Sequence, residues 1–379
     1  MAEWNKQGKK GQDQSSDYFA LEYKLDHVIA TYNKPYVAFM DGITMGGGVG
    51  LSVHAPFRIA TEKTVFAMPE TTIGFFPDVG ASFFLPRMDG QLGTYLALTS
   101  EQLKGVNVFY AGIATHYIDS SSLPDLEARL AELVFKDYTS ANDRYEIIDK
   151  TIEEFATGIP HDVTMQVSGP IRSAIDYCFQ SQFSIEDTLK ALEQAVDAPG
   201  ASEDAKKWAT KTRETILARS PTSVKVTLEQ LRRGRKWNIA ETFRKEHSIA
   251  SQFMAHHDFV EGVMSRLVQK RKPEWQPKDL EGVSRQDVET FFSNDQQQPL
   301  QLLNTGDGTA YDEYPHAWIG LPKEKEVEQA VKDGPSTSRE DIVRHFLSVK
   351  NGKMGVREKV EEILARKTQE QDGRLEWLA

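Results

Sequence analysis

The chain has 379 residues, 39% of them hydrophobic, and a formal net charge of −11 at pH 7. That length and composition suffice for a sizeable hydrophobic core with appendages. The acidic balance argues against a nucleic-acid backbone as the main partner, because proteins that bind one usually carry a basic face. The single cysteine, Cys178, excludes an internal disulfide, and no apolar run is long enough to span a membrane.

The first predicted elements are a helix, a strand and a glycine turn. An amphipathic helix is predicted from apolar residues that recur at helical spacing: Tyr18, Leu21, Leu25 and Ile29. The apolar run 35–40 predicts a strand, and the segment 41–50 breaks into three successive glycines before it resumes as an apolar helix. Such a turn exposes free backbone N–H groups that another molecule can approach closely. It can therefore hold a phosphate or stabilise a developing oxyanion.

The residues around the glycines do not match either common phosphate motif. A Walker loop needs a lysine followed by serine or threonine, and Gly47-Gly48-Val49-Gly50-Leu51-Ser52 supplies no lysine. A dinucleotide fingerprint needs a G-x-G-x-x-G spacing, which this segment lacks. The remaining alternatives are an oxyanion site and a turn whose glycines only permit close packing of a helix on a strand.

Two acids follow in the otherwise apolar, turn-forming segment 66–81. They are Glu70 and Asp78, and the prolines and glycines of this segment exclude a long regular element. Apolar neighbours are expected to desolvate both carboxyl groups, which raises their pKa values and suits them to proton transfer or nucleophilic attack. The alternative is that both acids cap turns by accepting hydrogen bonds from backbone N–H groups.

The segments that carry these residues closely resemble the crotonase (enoyl-CoA hydratase/isomerase) superfamily. The matching segments are 34–38, 42–52, 60–63, 66–71 and 76–80, with further matches as far as 273–279. The resemblance implies an α/β fold, the crotonase-like ββα spiral, in an N-terminally shortened form with a helical C-terminal region. Within the superfamily the motifs most resemble those of 3-hydroxyisobutyryl-CoA hydrolases, which are mitochondrial thioesterases of valine breakdown.

The resemblance also implies a catalytic site. In this family two backbone N–H groups form an oxyanion hole for the thioester carbonyl, and Gly47 matches the donor of one. Glu70 matches the catalytic glutamate, and Asp78 matches a second acid that contacts the acyl group or water. The expected substrate-binding residues beside them are Glu22, Gly46 and Gly48. Neither a metal nor a separate cofactor is expected, because coenzyme A is part of the substrate.

One departure from the family bears on activity. Family members carry an upstream Gly-Gly-Asp-type loop that gives the other oxyanion N–H and helps to hold coenzyme A, and no Gly-Gly-Asp precedes Gly46 here. Losing one such donor costs about a hundred- to a thousand-fold in rate. We therefore expect either an N-terminally shortened hydrolase or a chain whose role needs no turnover.

Three functions follow as expectations from the resemblance. The leading one is hydrolysis of 3-hydroxyisobutyryl-CoA. The second is a structural role in the small subunit of the mitochondrial ribosome, because fungal mitochondrial ribosomes carry a relative of such a hydrolase. The third is hydration, although hydratases of this family usually pair two glutamates. The expected partners are the acyl-CoA substrate, a second copy of the chain and that ribosomal subunit, and the expected location is the mitochondrial matrix.

The chain is predicted to have three parts. Residues 1–120 form the crotonase-like α/β core without its front strands, residues 121–295 form a helical region over the acyl-CoA pocket, and residues 296–379 form a linker with a charged helical extension. Long helices are predicted at 202–219, 222–236, 239–271 and 356–367.

Overall fold

The structure is a computed structural model of the chain. It describes residues 1–136, 138–160, 163–198, 202–293, 299–333, 338–371 and 374–378. The start of the predicted linker, at residues 296–298, lies outside these ranges. None of the described helices is both long and apolar enough to cross a membrane.

Two small sheets carry the front half of the fold. The strands are β1 (Val37–Met40), β2 (Ile43–Met45), β3 (Phe57–Ala60), β4 (Val65–Ala67), β5 (Leu103–Lys104) and β6 (His116–Tyr117). One sheet has the parallel order β1-β3-β6; in the other, β2 runs parallel to β4, and β5 is antiparallel to β4. A C-terminal hairpin pairs β7 (Thr368–Gln371) with β8 (Arg374–Trp377).

Helices account for most of the rest. The first twelve are α1 (Ala2–Asn5), α2 (Lys9–Ala30), α3 (Gly47–Val53), α4 (Ala81–Phe84), α5 (Leu92–Thr99), α6 (Val106–Tyr110), α7 (Leu123–Ala131), α8 (Ala141–Glu153), α9 (Gly169–Cys178), α10 (Ile185–Asp197), α11 (Glu203–Leu217) and α12 (Pro221–Gly234). The others are α13 (Ile239–Ala255), α14 (His257–Gly262), α15 (Arg285–Ser293), α16 (Glu324–Asp333), α17 (Arg339–Val349) and α18 (Val356–Lys367). A π-helical turn, Val263–Val268, follows α14, and single 3₁₀ turns cover Glu70–Ile73, Leu85–Arg87, Ser120–Ser122, Leu280–Gly282 and Ala317–Ile319.

Helix α2 forms as predicted, but the prediction of its apolar face was wrong. Tyr18, Leu21 and Leu25 are 47%, 67% and 49% exposed, and of the predicted stripe Ile29 is buried. The buried face instead carries Phe19 and Tyr23 together with polar residues. Packing against α13 and the segment after Glu70 selects this face, because those neighbours present aromatic rings. The ring centroids of Phe19 and Phe75 are 5.1 Å apart in a stacked pair, and those of Tyr23 and Phe243 are 6.4 Å apart.

The predicted helix over 239–271 is divided. Helix α13 ends at Ala255, and His256 is extended, with φ −83° and ψ 138°. The His256 side chain then accepts the N–H of Asp258, the second residue of α14, at 3.2 Å. A side-chain cap of this kind marks the start of a separate helix. The predicted helices at 202–219, 222–236 and 356–367 are present as α11, α12 and α18.

The C-terminal extension packs on its own chain. The side chains of α18 that face inward are fully buried: Val356, Val360, Ile363 and Leu364. They belong to one hydrophobic cluster that also contains Phe19 of α2 and Leu231 of α12. Charged residues complete the contact, since Lys359 of α18 donates to Asp89 of the core at 2.8 Å. The three predicted parts therefore share one core.

Lys353 joins the extension to α8 and β6. It is 5% exposed, and its Nζ donates to Glu153 at 2.6 Å and to His116 at 2.8 Å.

We expect Lys353→Met to destabilise the protein by about 1.5–3 kcal/mol, the range for lost hydrogen bonds to charged groups. The measurement is the midpoint of urea unfolding. The matched control is Lys332→Met, which breaks only the exposed pair with Glu328. It should change the free energy of unfolding by about 0.5 kcal/mol or less. Equal destabilisation by the two substitutions would show that Lys353 does not anchor the extension.

Candidate functional site

The glycine turn joins β2 to α3. Gly46 has φ 52° and ψ −127°, a left-handed conformation that favours glycine, and α3 begins at the next residue. The first N–H groups of a helix have no intrahelical acceptor. Within the described ranges the N–H groups of Gly47 and Gly48 also have no acceptor elsewhere. The turn therefore presents two unpaired donors in succession.

Glu70 reaches this turn because of how the strands pair. Strand β4 runs parallel to β2 with Ala67 opposite Met45, so the chain leaves both strands at the same edge of the sheet. Glu70 begins the 3₁₀ turn that follows β4. Its Oε1 lies 4.0 Å from the position that a β-carbon on Gly46 would occupy. The predicted catalytic acid and the predicted oxyanion turn are therefore neighbours.

The Glu70 carboxyl group is buried and under-bonded. The side chain is 4% exposed, and Oε2 has no hydrogen-bond partner among the described residues. Burial raises the pKa of Glu70 to about 8, and the negative charges of Glu246 and Glu22 add to the rise, while its own backbone N–H opposes it. A carboxyl group with such a pKa can exchange a proton near neutral pH, as acid–base and nucleophilic chemistry require.

Asp78 is a second buried acid that is close enough for the Glu70 charge to act on it. It is buried, and the Tyr23 hydroxyl donates to its Oδ2 at 2.7 Å. Burial raises the pKa of Asp78 well above its usual range, and the Glu70 charge is the next largest cause. Because the Glu70 charge raises the pKa of Asp78, ionisation of Glu70 favours the protonated form of Asp78. The pair can therefore hold one group charged while the other donates a hydrogen bond.

Helix α2 brings further acids to the glycine turn. Glu22 Oε1 lies 2.7 Å from the position of a β-carbon on Gly47, so its carboxylate packs directly on the turn. Asp26 is one helical turn further along α2. Its Oδ1 lies 2.6 Å from the position of a β-carbon on Gly50, so it packs on α3 in the same way. Burial raises the pKa of both groups. The structure thus places the predicted Glu22 at the site, beside an acid that was not predicted.

Glu246 of α13 fixes the loop that carries Asp78. Its two carboxylate oxygens accept the backbone N–H groups of Gly80 at 2.7 Å and Ser82 at 2.8 Å. Burial raises the pKa of Glu246 to about 7, although these hydrogen bonds favour its charged form. Because Gly80 lies two residues after Asp78, the side chain of Glu246 holds the second acid in place. Glu246 stands in a charged stretch of a helix, a context that usually predicts an exposed residue.

The buried acids predict how stability changes with pH. The folded state raises the pKa of Glu70 from 4.5 to about 8 and that of Glu246 to about 7. At these two groups the folded state binds more protons than the unfolded chain, so the stability that they contribute is lost as pH rises from about 4.5 to about 8. We expect Glu70→Gln to make urea midpoints less dependent on pH over this window. Glu193→Gln, at an exposed acid paired with Arg213, should leave the dependence unchanged. An equal pH dependence in wild type and Glu70→Gln would contradict the assignment.

Comparison with known proteins agrees with this fold and site. Residues 1–292 match the enoyl-CoA hydratase/isomerase family. In a solved structure, a carnitinyl-CoA dehydratase from Mycobacterium thermoresistibile superposes with a TM-score of 0.65 at 32% identity, over 80% of each chain. The chain belongs to the enoyl-CoA hydratase/isomerase family, whose enzymes process acyl-CoA substrates. The expectation of a crotonase-like α/β fold is confirmed.

Two kinds of relative are similar over most of the chain. The small ribosomal subunit protein mS47 of Neurospora crassa is 52% identical over 372 residues, which are 97% of this chain and 72% of that protein. The mitochondrial 3-hydroxyisobutyryl-CoA hydrolase of Gallus gallus is 45% identical over 289 residues, which are 75% of this chain and 70% of that protein. These names agree with the expected mitochondrial location.

Proposed function

We propose that the chain hydrolyses the thioester of a short branched β-hydroxyacyl-CoA, with 3-hydroxyisobutyryl-CoA as the substrate. The observation that carries this proposal is the position of the Glu70 carboxyl group against the glycine turn, 4.0 Å from the β-carbon position of Gly46. A desolvated carboxyl group beside unpaired N–H donors is what acyl transfer requires. Likeness to a hydrolase of this substrate supports the choice of acyl group.

In the proposed reaction the thioester oxygen lies on the glycine turn. The Gly47 N–H donates to that oxygen, and the adjacent Gly48 amide is a second unpaired donor. Both are backbone groups, so they stabilise the tetrahedral oxyanion without reorganising. The negative charge that develops there is further favoured by the start of α3.

Glu70 acts on the thioester carbon in one of two ways. As a nucleophile, its carboxylate oxygen bonds to that carbon, the C–S bond breaks, and the coenzyme A thiolate leaves and takes up a proton; water then hydrolyses the resulting anhydride. As a general base, Glu70 instead takes a proton from the attacking water. Single turnover in H₂¹⁸O separates the routes, because only the anhydride route can place ¹⁸O in the Glu70 carboxyl group.

Asp78 orients the substrate hydroxyl group or the attacking water. Its Oδ2 accepts from Tyr23, so that oxygen is held in a fixed position. The raised pKa of Asp78 favours the protonated form of its carboxyl group. A protonated Asp78 donates a hydrogen bond and does not compete with Glu70 for the thioester carbon.

The test is free-thiol release by the purified chain. We expect release from 3-hydroxyisobutyryl-CoA to exceed release from acetyl-CoA, and hydration of crotonyl-CoA to be slower than either. The first comparison tests the acyl group, because acetyl-CoA lacks the branched hydroxyacyl part. Hydration faster than thiol release, or release no faster than in buffer, would overturn the proposal.

A ribosomal role is the second candidate function. The observation that favours it is the likeness to the mS47 protein, which extends over 97% of this chain and so includes the C-terminal extension.

The test is sedimentation of the tagged chain with mitochondrial ribosomes. In magnesium it should travel with intact ribosomes, and after EDTA it should move to the small-subunit peak; a chain that remains at the top of both gradients would exclude this role. The two functions are separable, since the first is read by turnover and the second by sedimentation.

A further inference from the structure

A cavity lies between the core and the C-terminal extension. It encloses about 250 Å³, room for a molecule of roughly ten non-hydrogen atoms. Its core side is formed by the end of α2, the end of α3 and the start of β3, and its outer side by residues 308–323 of the extension. None of the residues proposed to act on the thioester lines it.

Arg58 is the charged group at the base of this cavity. Its Nε donates to the Ile113 carbonyl at 2.5 Å and its Nη1 to the Ala55 carbonyl at 2.6 Å. These are neutral acceptors, and among the described residues no carboxylate lies within 4.0 Å of its guanidinium. Burial lowers the pKa of Arg58 to about 10, so the group is still a cation at neutral pH. A deeply placed cation without a counter-ion is costly unless an anion joins it.

The other charges around the cavity do not neutralise Arg58. The further cations of its lining are Arg87, Lys323 and Lys359, and the acid of the lining is Asp89. Asp89 is already paired, because Lys359 donates to it at 2.8 Å. Arg87 lies 3.8 Å from Glu313, which is outside the lining. The cavity therefore has a net positive charge.

His54 adds no charge to the cavity wall. Its Nε2 lies 2.8 Å from the Val79 carbonyl, which can only accept, so Nε2 carries the proton. Nδ1 then accepts from the Tyr314 hydroxyl at 2.8 Å. Burial lowers the pKa of His54 to about 4, which agrees with a neutral ring. Because Val79 adjoins Asp78, we leave His54 unchanged in the test below.

Much of the remaining lining is apolar and includes Ile29, Val53, Phe84, Met88 and Leu321. Its other polar members include Thr31, Tyr32, Tyr311, Tyr314 and His316. We propose that this cavity binds a small organic monoanion, with its carboxylate on Arg58 and its apolar body against the apolar side chains. A carboxylate matches the planar guanidinium fork, and the apolar wall favours a hydrocarbon or aromatic body over inorganic phosphate. The proposal is independent of thioester hydrolysis, since it is tested by binding alone.

The probe is phenylacetate, titrated into the full chain and followed by calorimetry. We expect saturable binding to one site, and binding of the neutral isostere phenylacetamide to be weaker by about tenfold or more, the value of a hydrogen bond to a charged group. Arg58→Met should weaken phenylacetate binding by a similar factor. Arg213→Met, at a half-exposed arginine on α11 that does not line the cavity, is the matched control and should leave binding unchanged.

A second variant covers the case in which Arg58→Met fails to fold. Ala30→Trp places an indole in the cavity from the end of α2 and leaves Arg58 and its carbonyl partners in place, so it should abolish binding without loss of the folded state. Absence of saturable binding to the wild-type chain would overturn the proposal, as would equal binding by wild type and Ala30→Trp. Equal binding of phenylacetamide and phenylacetate would show an apolar site in place of an anion site.

Discussion

Gly47→Pro should lower kcat for thiol release by about a hundred- to a thousand-fold, the measured cost of removing one oxyanion donor. Gly47 is the first residue of α3, the helix position at which proline fits best. The substitution therefore removes the N–H without breaking the helix. The backbone of the turn stays in place, so the loss reports on the donor.

Gly47→Ala is the matched control for this experiment. A β-carbon at Gly47 would lie 2.7 Å from Glu22 Oε1, so either substitution forces the end of a flexible side chain to move. Alanine keeps the N–H while it makes the same contact. The ratio of kcat between the two variants isolates the donor, and equal rates in Gly47→Pro and Gly47→Ala would remove Gly47 from the mechanism.

Glu70→Gln should lower kcat by about a hundred- to ten-thousand-fold, the usual contribution of a positioned acid or base. Glutamine has the same shape but neither attacks the thioester carbon nor accepts a proton from water. Because Glu70 Oε2 has no partner among the described residues, the substitution breaks no hydrogen bond at that atom. Steady-state thiol release together with a thermal unfolding scan measures both effects.

The expected pattern is a large loss of kcat with an unfolding temperature equal to or above that of the wild type. The rise in unfolding temperature would come from removal of a buried group that resists ionisation. Glu193→Gln is the control for the charge change on an exposed helix. Similar kcat values for wild type and Glu70→Gln would leave the buried acid without a role in turnover.

The parts of the site that could be predicted from the sequence are local. The glycine turn follows its strand directly, and Glu70 follows the strand that pairs beside it. A motif at the end of a strand therefore predicts that its functional residues lie at an edge of the sheet, and this prediction needs no knowledge of long-range contacts. The desolvation expected for Glu70 and Asp78 from their apolar neighbours is also present in the structure.

The parts that were missed depend on distant contacts. The inner face of α2 is chosen by aromatic residues of α13 and of the segment after Glu70, so the periodicity of α2 alone pointed to the opposite side. Glu246 contacts Gly80 across 166 residues of sequence, and no local pattern marks it as buried. The break at His256 was missed because the apolar spacing continues on both sides of it.

The measurement that tests the central claim most directly is the dependence of kcat/KM on pH for 3-hydroxyisobutyryl-CoA. Thiol release is followed from pH 5 to pH 10, and the rate of Glu70→Gln at each pH is subtracted to remove hydrolysis by hydroxide. Since the carboxylate form of Glu70 performs either reaction, activity should increase as that group loses its proton, with an apparent pKa of about 8. A flat profile, or an ionisation near the ordinary glutamate value of about 4.3, would contradict a buried Glu70 as the group that acts on the thioester.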